Sequence, residues 1–326
     1  MSVVVPSPRV DGFDAARAVA ILAMIEAHTN PGLGPLDLMV EYTAAPLFAV
    51  LMGVGLAWSR QRGSRRDLLI GAMVRGLVLI ALGVALEQLG APVVVVLVPL
   101  GLATIITGAV LAASRDLSEG VALTLWATTP GLAQSAMARA SNSNPVGSWL
   151  LETTFYGTAY RVTTFVALAA LGASLAWLAT ASVRRISLVT AVAVSVLAVI
   201  AFGQWADLWD ATAYGWDRAS VASTAAIATI IITVCLLAGR ASPQLIRGLA
   251  VPGAMALTIY VLHVATMAWY LRINPGWPVN APLMWLISTL AAIALPWGWW
   301  AIVGPGRWRR GPIEGAVDGV VAAARR

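Results

Sequence analysis

The stretch SRQRGSRRDLLIGAMVRGLVLIALGVALEQ, residues 59–88, decides the class of this chain. Four arginines lead into an apolar run from Leu68 that is broken only by Arg75 and closes on Glu87. A bilayer-crossing helix needs about 17 to 25 residues of this kind. The pattern recurs along the chain, giving about ten spans near 13–30, 41–59, 68–88, 92–113, 119–139, 158–180, 186–203, 220–239, 250–271 and 282–303. Pro92 and Pro99 make the fourth span a candidate for a break. The expected fold is an all-α integral membrane protein, a polytopic bundle in one membrane-embedded domain over 1–326, with a tail from about 304. No internal repeat or soluble domain is visible.

Composition agrees. The 326 residues are 59% hydrophobic and only 11% charged, with mean hydropathy +0.81, so most of the solvent around this chain is lipid. The net charge of +6 comes from arginine, because the sequence holds no lysine. That bias, with abundant Ala, Val and Gly, points to a bacterial genome of high GC content. Arginines scattered between apolar runs speak against nucleic acid as a partner and for topology signals. With both termini cytoplasmic, Arg139, Arg218 and Arg272 alone fall in outer loops, while Arg17, Arg75 and Arg161 fall within spans or at their edges. The expected location is the bacterial plasma or inner membrane. The N-terminus lacks the ordered regions of a cleaved signal peptide. Cys235, the single cysteine, is expected to be a small core residue.

Chemistry concentrates in DGFDAARAVAILAMIEAH, residues 11–28. Arg17 and His28 are eleven residues apart, about three turns plus 20°, so they share a helix face about 16 Å apart along the axis. Asp14 is one turn before Arg17 and can pair with it. Glu26 lies about 200° around the helix from His28 and points elsewhere. The second histidine, His263, stands in GAMALTIYVLHVATMAWYL at the same depth as His28, about 20 Å from the cytoplasmic start of its span. Ionisable groups inside membranes are expensive and tend to mark sites.

An Asp, then Arg, ten residues and His on the first helix resembles the signature of the type-three membrane acyltransferases. The wider pattern is similar to the bacterial YeiB-like family, grouped with the heparan-alpha-glucosaminide N-acetyltransferases. It is carried by RVDGFDAARAVAILAMIEAH (9–28), APLFAVLMGVGLAWSRQR (45–62), GAMALTIYVLHV (253–264) and RRGPIE (309–314). The resemblance implies transfer of an acyl group, most simply acetyl, from cytoplasmic acyl-CoA as co-substrate, without a metal. The acceptor would be an extracytoplasmic sugar, glycolipid or cell-envelope glycan. Arg17, Arg75 and Asp14 would hold the donor, and His28 with His263 would meet the acceptor as base or acylated nucleophile.

Lesser candidates complete the list. Arg75, two turns into its span, either holds the donor or snorkels. Asp37, Glu41 and Glu87 stand at outer helix ends and could bind acceptor hydroxyls. QWADLWDATAYGWDRAS carries Trp209, Trp216 and aspartates, a set suited to sugar stacking or to an interfacial belt. PWGWW, 296–300, reads as belt, and GVG in the second span as helix packing. The tail after Pro312 reads as an amphipathic helix on the inner surface. The rival readings are a multi-pass transporter or flippase of a small solute or lipid-linked glycan, and a scaffold in glycan assembly. A homo-oligomer is left open.

Overall fold

The computed structural model describes residues 10–30, 32, 40, 43–113, 117–157, 160–212, 215, 217–276 and 278–326. Those residues are mainly helical, with no strand among them. The helices are α1 (Asp11–Thr29), α2 (Ala44–Arg62), α3 (Arg65–Glu87), α4 (Leu97–Ala113), α5 (Leu117–Ala140) and α6 (Pro145–Leu151). They continue with α7 (Val162–Leu175), α8 (Val183–Trp205), α9 (Arg218–Ala241), α10 (Pro243–Ala254), α11 (Ala256–Ile273), α12 (Pro282–Ile302) and α13 (Pro312–Ala324).

Six helical stretches are long and apolar enough to cross a membrane: α3, α7 with its 3₁₀ extension to Ala179, α8, α9, α11 and α12. This is the architecture of a multi-pass membrane protein. Helices also stand where the other four spans were expected, but each departs from the pattern. α4 is apolar yet only 17 residues long. α1 carries Asp11, Asp14, Arg17 and Glu26, and α2 ends on Arg60 and Arg62. α5 holds Glu119, Arg139 and an internal Pro130. Large apolar side chains stay exposed along α8 and α12, among them Leu188, Val192, Phe202, Leu286, Ile287 and Leu290. An outward-facing apolar flank suits contact with lipid, where helices satisfy their own backbone hydrogen bonds.

Local rules fix the ends. Gly63 and Ser64 are the only residues between α2 and α3, and Ser64 with Asp67 forms a capping box that starts α3 at once. The fourth helix is shorter than expected rather than broken. It begins at Leu97, leaving Pro92 outside, and Pro99 lies in its first turn, where a missing N–H costs no helical bond. The span expected at 250–271 is the real surprise. The helix breaks at Met255 (φ −108°, ψ 25°) into α10 and α11.

α1 runs through the middle of the bundle. It packs against α2, α9, α10, α11 and α12, with Phe13, Ile21 and Ile25 fully buried. Its contact with α10 is backbone on backbone: a Cβ added at Gly253 would lie 1.7 Å from the Asp14 carbonyl oxygen. α2 and α7 cross in the same way at Gly53 and Gly172. Small residues at such crossings let helices approach without a hydrophobic drive between them.

The C-terminal segment does not lie free on a surface. Trp299 Nε1 donates to the Trp308 carbonyl at 2.7 Å, and the Arg309 guanidinium sits 3.9 Å over the Trp300 ring. Two tryptophans of the expected belt thus anchor the turn at 307–310. From there Gly311, at φ 121°, directs α13 back across the bundle against α3 and α11.

Candidate functional site

Two cavities open beside Arg17. The outer one, of about 690 Å³, is a polar vestibule lined by Arg17, Arg62, Arg75, Arg310 and Arg325 together with Asp14, Asp67, Glu314 and Asp318. Five arginines against four carboxylates leave one net positive charge. The inner one, of about 290 Å³, is walled by apolar side chains from α2, α3 and α4, with Val96 and Tyr260 also in its lining. The two share Arg17, Gly55, Arg75, Leu257 and Glu314, so Arg17 and Arg75 stand at the neck between them.

Arg17 pairs with Asp14, as the helical spacing requires, and the Asp14 side chain is almost fully buried. Arg75 is no isolated snorkelling group: its Nη2 donates to Asp318 of α13 at 3.3 Å. The other oxygen of Asp318 accepts from Arg310 at 3.1 Å.

The helix break supplies a second feature at the neck. Glu314 Oε1 accepts from the Leu257 and Thr258 amides at 2.8 and 3.0 Å, and Oε2 accepts from Thr258 Oγ1 at 2.5 Å. A carboxylate from the far end of the chain thereby caps the first turn of α11, whose free N–H groups and positive dipole end favour an anion. This explains GPIE physically. Gly311 takes a left-handed turn against the Glu314–Thr258 contact, Pro312 opens α13, and Glu314 reaches out.

Burial pushes the Glu314 carboxyl above its usual range, against the hydrogen bonds that lower it. An acid raised in the folded state stabilises most below its unfolded pKa and loses that contribution as pH rises through the folded value. Docking of α13 is therefore expected to weaken as pH rises above the ordinary carboxylate range. Glu314→Gln, which keeps an acceptor without titrating, should show a flatter dependence when thermal unfolding is followed across that rise.

One turn past Tyr260 on α11, about 4.5 Å further along the axis, stands His263. Its Nε2 lies 3.3 Å from His28 Nδ1, with the rings nearly parallel at 10°. The two histidines of the chain therefore form one pair, His263 buried and His28 half-buried. One nitrogen of the contact must donate and the other accept. Neither histidine lines the two cavities; Tyr260, which accepts from the Val96 amide at 3.2 Å, lines the inner one. Glu26 faces away, accepting from Trp285 Nε1 of α12 at 2.5 Å and from Asn30.

The remaining candidates stand apart. Glu87 is exposed at the end of α3 and lines neither cavity. Trp209 lies on Gly203, donates to the Ile200 carbonyl at 3.0 Å and lines a separate cavity of about 560 Å³ with Asp210 and Asp217. Asp37, Glu41 and Trp216 lie outside the described residues. Sequence reasoning gave no role to Tyr260, Glu314, Asp318, Arg310 or Arg325. Tyr260, Arg310 and Glu314 had one signal, membership of the quoted stretches around His263 and GPIE, while Asp318 and Arg325 belonged only to the expected tail helix. Among the described residues no cluster of three or more metal-ligating side chains occurs.

No protein-family model matches the chain, and no curated protein matches it.

Proposed function

We propose that this protein is a membrane-embedded acyltransferase of ten spans with both termini cytoplasmic, kin to the YeiB-like and glucosaminide N-acetyltransferase families. It moves an acyl group from cytoplasmic acyl-CoA to a sugar or glycolipid outside. The observation that carries the reading is the layout of α1. Arg17 stands at the neck of a polar-to-apolar cavity, and His28, paired with His263, stands about 16 Å beyond it. The arginine-rich vestibule suits a phosphorylated head group, and the apolar chamber suits a thin thioester arm.

In this reaction His28, with Nδ1–H donating to His263 Nε2, offers the lone pair of Nε2 to the acceptor hydroxyl or amine. The acceptor proton passes to His28, the new acyl C–O or C–N bond forms, and the C–S bond breaks. His28 returns the proton to the departing thiolate. His263 fixes the tautomer, and Tyr260, which lines the chamber one turn before His263 on α11, marks the side from which the thioester reaches the pair.

Arg17→Ala is expected to weaken acyl-CoA binding about tenfold to a hundredfold, because a charge-assisted contact to phosphate contributes about 1.5 to 3 kcal/mol. Titration of purified wild-type and variant protein with acyl-CoA checks this. Unchanged affinity in a well-folded variant rejects the donor role. The function itself is tested by mass spectrometry of envelope glycans and lipids from a deletion strain, with and without the wild-type gene.

One observation favours a transporter instead: the discontinuous α10–α11 pair with a charged group at the half-helix end. A deletion that leaves every acyl mark intact but alters export of a solute would establish that reading.

A further inference from the structure

We propose that Arg75 and Arg310 together form a phosphate clamp in the vestibule, and that Asp318 is a built-in competing anion which an incoming phosphate displaces. The inference rests on the acyltransferase reading for the identity of the ligand. It adds to that reading a clamp half supplied by the C-terminal segment and an internal competitor.

Asp318 divides its two oxygens between the arginines, Oδ1 to Arg75 at 3.3 Å and Oδ2 to Arg310 at 3.1 Å. One planar anion thus bridges two guanidinium groups from elements far apart in sequence. A phosphate offers oxygens at comparable spacing and more charge, and guanidinium forks bind it in the same geometry. The side chains of Arg75, Asp318 and Arg310 keep 36%, 28% and 41% of their surface open, and all three line the vestibule. Ion pairs exposed to this degree are weak and exchange partners readily.

The segment need not unfold for the exchange to happen. Glu314 is held by three hydrogen bonds on α11, one turn before Asp318 on α13. Arg325, one residue beyond the helix, donates to the Asp67 carbonyl at 3.1 Å and to Ser59 Oγ at 3.4 Å. α13 is therefore fastened at both ends, and Asp318 sits between the fastenings on a part-exposed turn. Its side chain can rotate out of the clamp while the helix stays docked. Losing the Asp318 charge leaves five arginines against three carboxylates in the vestibule, and the local charge rises from one to two.

Full-length protein in detergent is titrated calorimetrically with coenzyme A and, separately, with inorganic pyrophosphate. Asp318→Asn is expected to bind both about threefold to tenfold more tightly than wild type, with a steeper loss of affinity as salt rises. Asp318→Glu should stay near wild type, and Arg310→Gln should weaken both by about tenfold. If Asp318→Asn does not fold, the Arg310→Gln and Asp318→Glu arms decide alone. Affinity that is unchanged or weaker in a folded Asp318→Asn protein overturns the competition, even where Arg17-dependent coenzyme A binding upholds the donor reading. Tighter pyrophosphate binding without any coenzyme A binding supports the clamp and rejects the donor reading. No binding of either probe by any variant overturns the clamp.

Discussion

Replacing His28 by glutamine is expected to remove acyl transfer, lowering the rate by about a hundredfold to ten-thousandfold, while leaving membrane insertion and acyl-CoA binding intact. Glutamine keeps the size and hydrogen bonding of the imidazole but cannot accept a proton at neutral pH. The contact with His263 makes the companion variants informative. His263→Gln can still accept from His28 Nδ1–H through its amide oxygen, so it should retain part of the rate. His263→Leu removes the acceptor, frees His28 to take the wrong tautomer and should approach the His28→Gln loss. The measurement is the acyl mark recovered when each variant complements a deletion strain, quantified by mass spectrometry. Full activity in His28→Gln would reject the general-base role. Equal activity in both His263 variants would show that the pair has no part in setting the tautomer.

The second large effect is structural and turns on one hydrogen atom. Glycine to alanine inside a helix ordinarily stabilises by up to about 1 kcal/mol. At Gly248 of α10, where an added Cβ meets nothing within 4 Å, that gain is expected. At Gly253, five residues on in the same helix, the sign reverses. The new Cβ would lie 1.7 Å from the Asp14 carbonyl oxygen and 2.9 Å from the Ala18 amide nitrogen, and backbone cannot rotate away as a side chain can. Forcing the crossing apart is expected to cost about 1 to 3 kcal/mol or more. It also moves α1 against the start of α11, the two elements that carry Arg17 and His263. Gly253→Ala should therefore melt below wild type, and Gly253→Leu should fail to give monodisperse protein. Thermal unfolding of the matched pair in one detergent decides it. A Gly253→Ala protein as stable as Gly248→Ala would mean that α10 and α1 are held apart.

Periodicity made part of this site legible. Arg17 and Asp14 pair because three residues are one turn, and the equal depth expected for His28 and His263 along two spans anticipated their meeting, although the break leaves His263 only seven residues into α11. Glu26 pointed elsewhere for the same reason and found Trp285. Hydropathy could not reveal the break at Met255, because the apolar run continues through it without a charge. Nor could spacing reveal that Glu314 caps Leu257 and Thr258, a contact across more than fifty residues set by how α13 folds back. Tyr260 read as one more span residue, and only the packing of Val96 against it makes it the wall of a chamber. Arg75 looked like a cation in search of water because its partner, Asp318, lies 243 residues away.

The pairing of the only two histidines has a practical side for spectroscopy. Histidine labelled with a nitrogen isotope gives a spectrum of this site and of nothing else in the chain. Four ring nitrogens report directly which one carries each proton. The nitrogens that share the hydrogen bond should show a mutual coupling across it. A ligand reaching the pair then registers as a change in four resonances, with no assignment of the rest of the protein required.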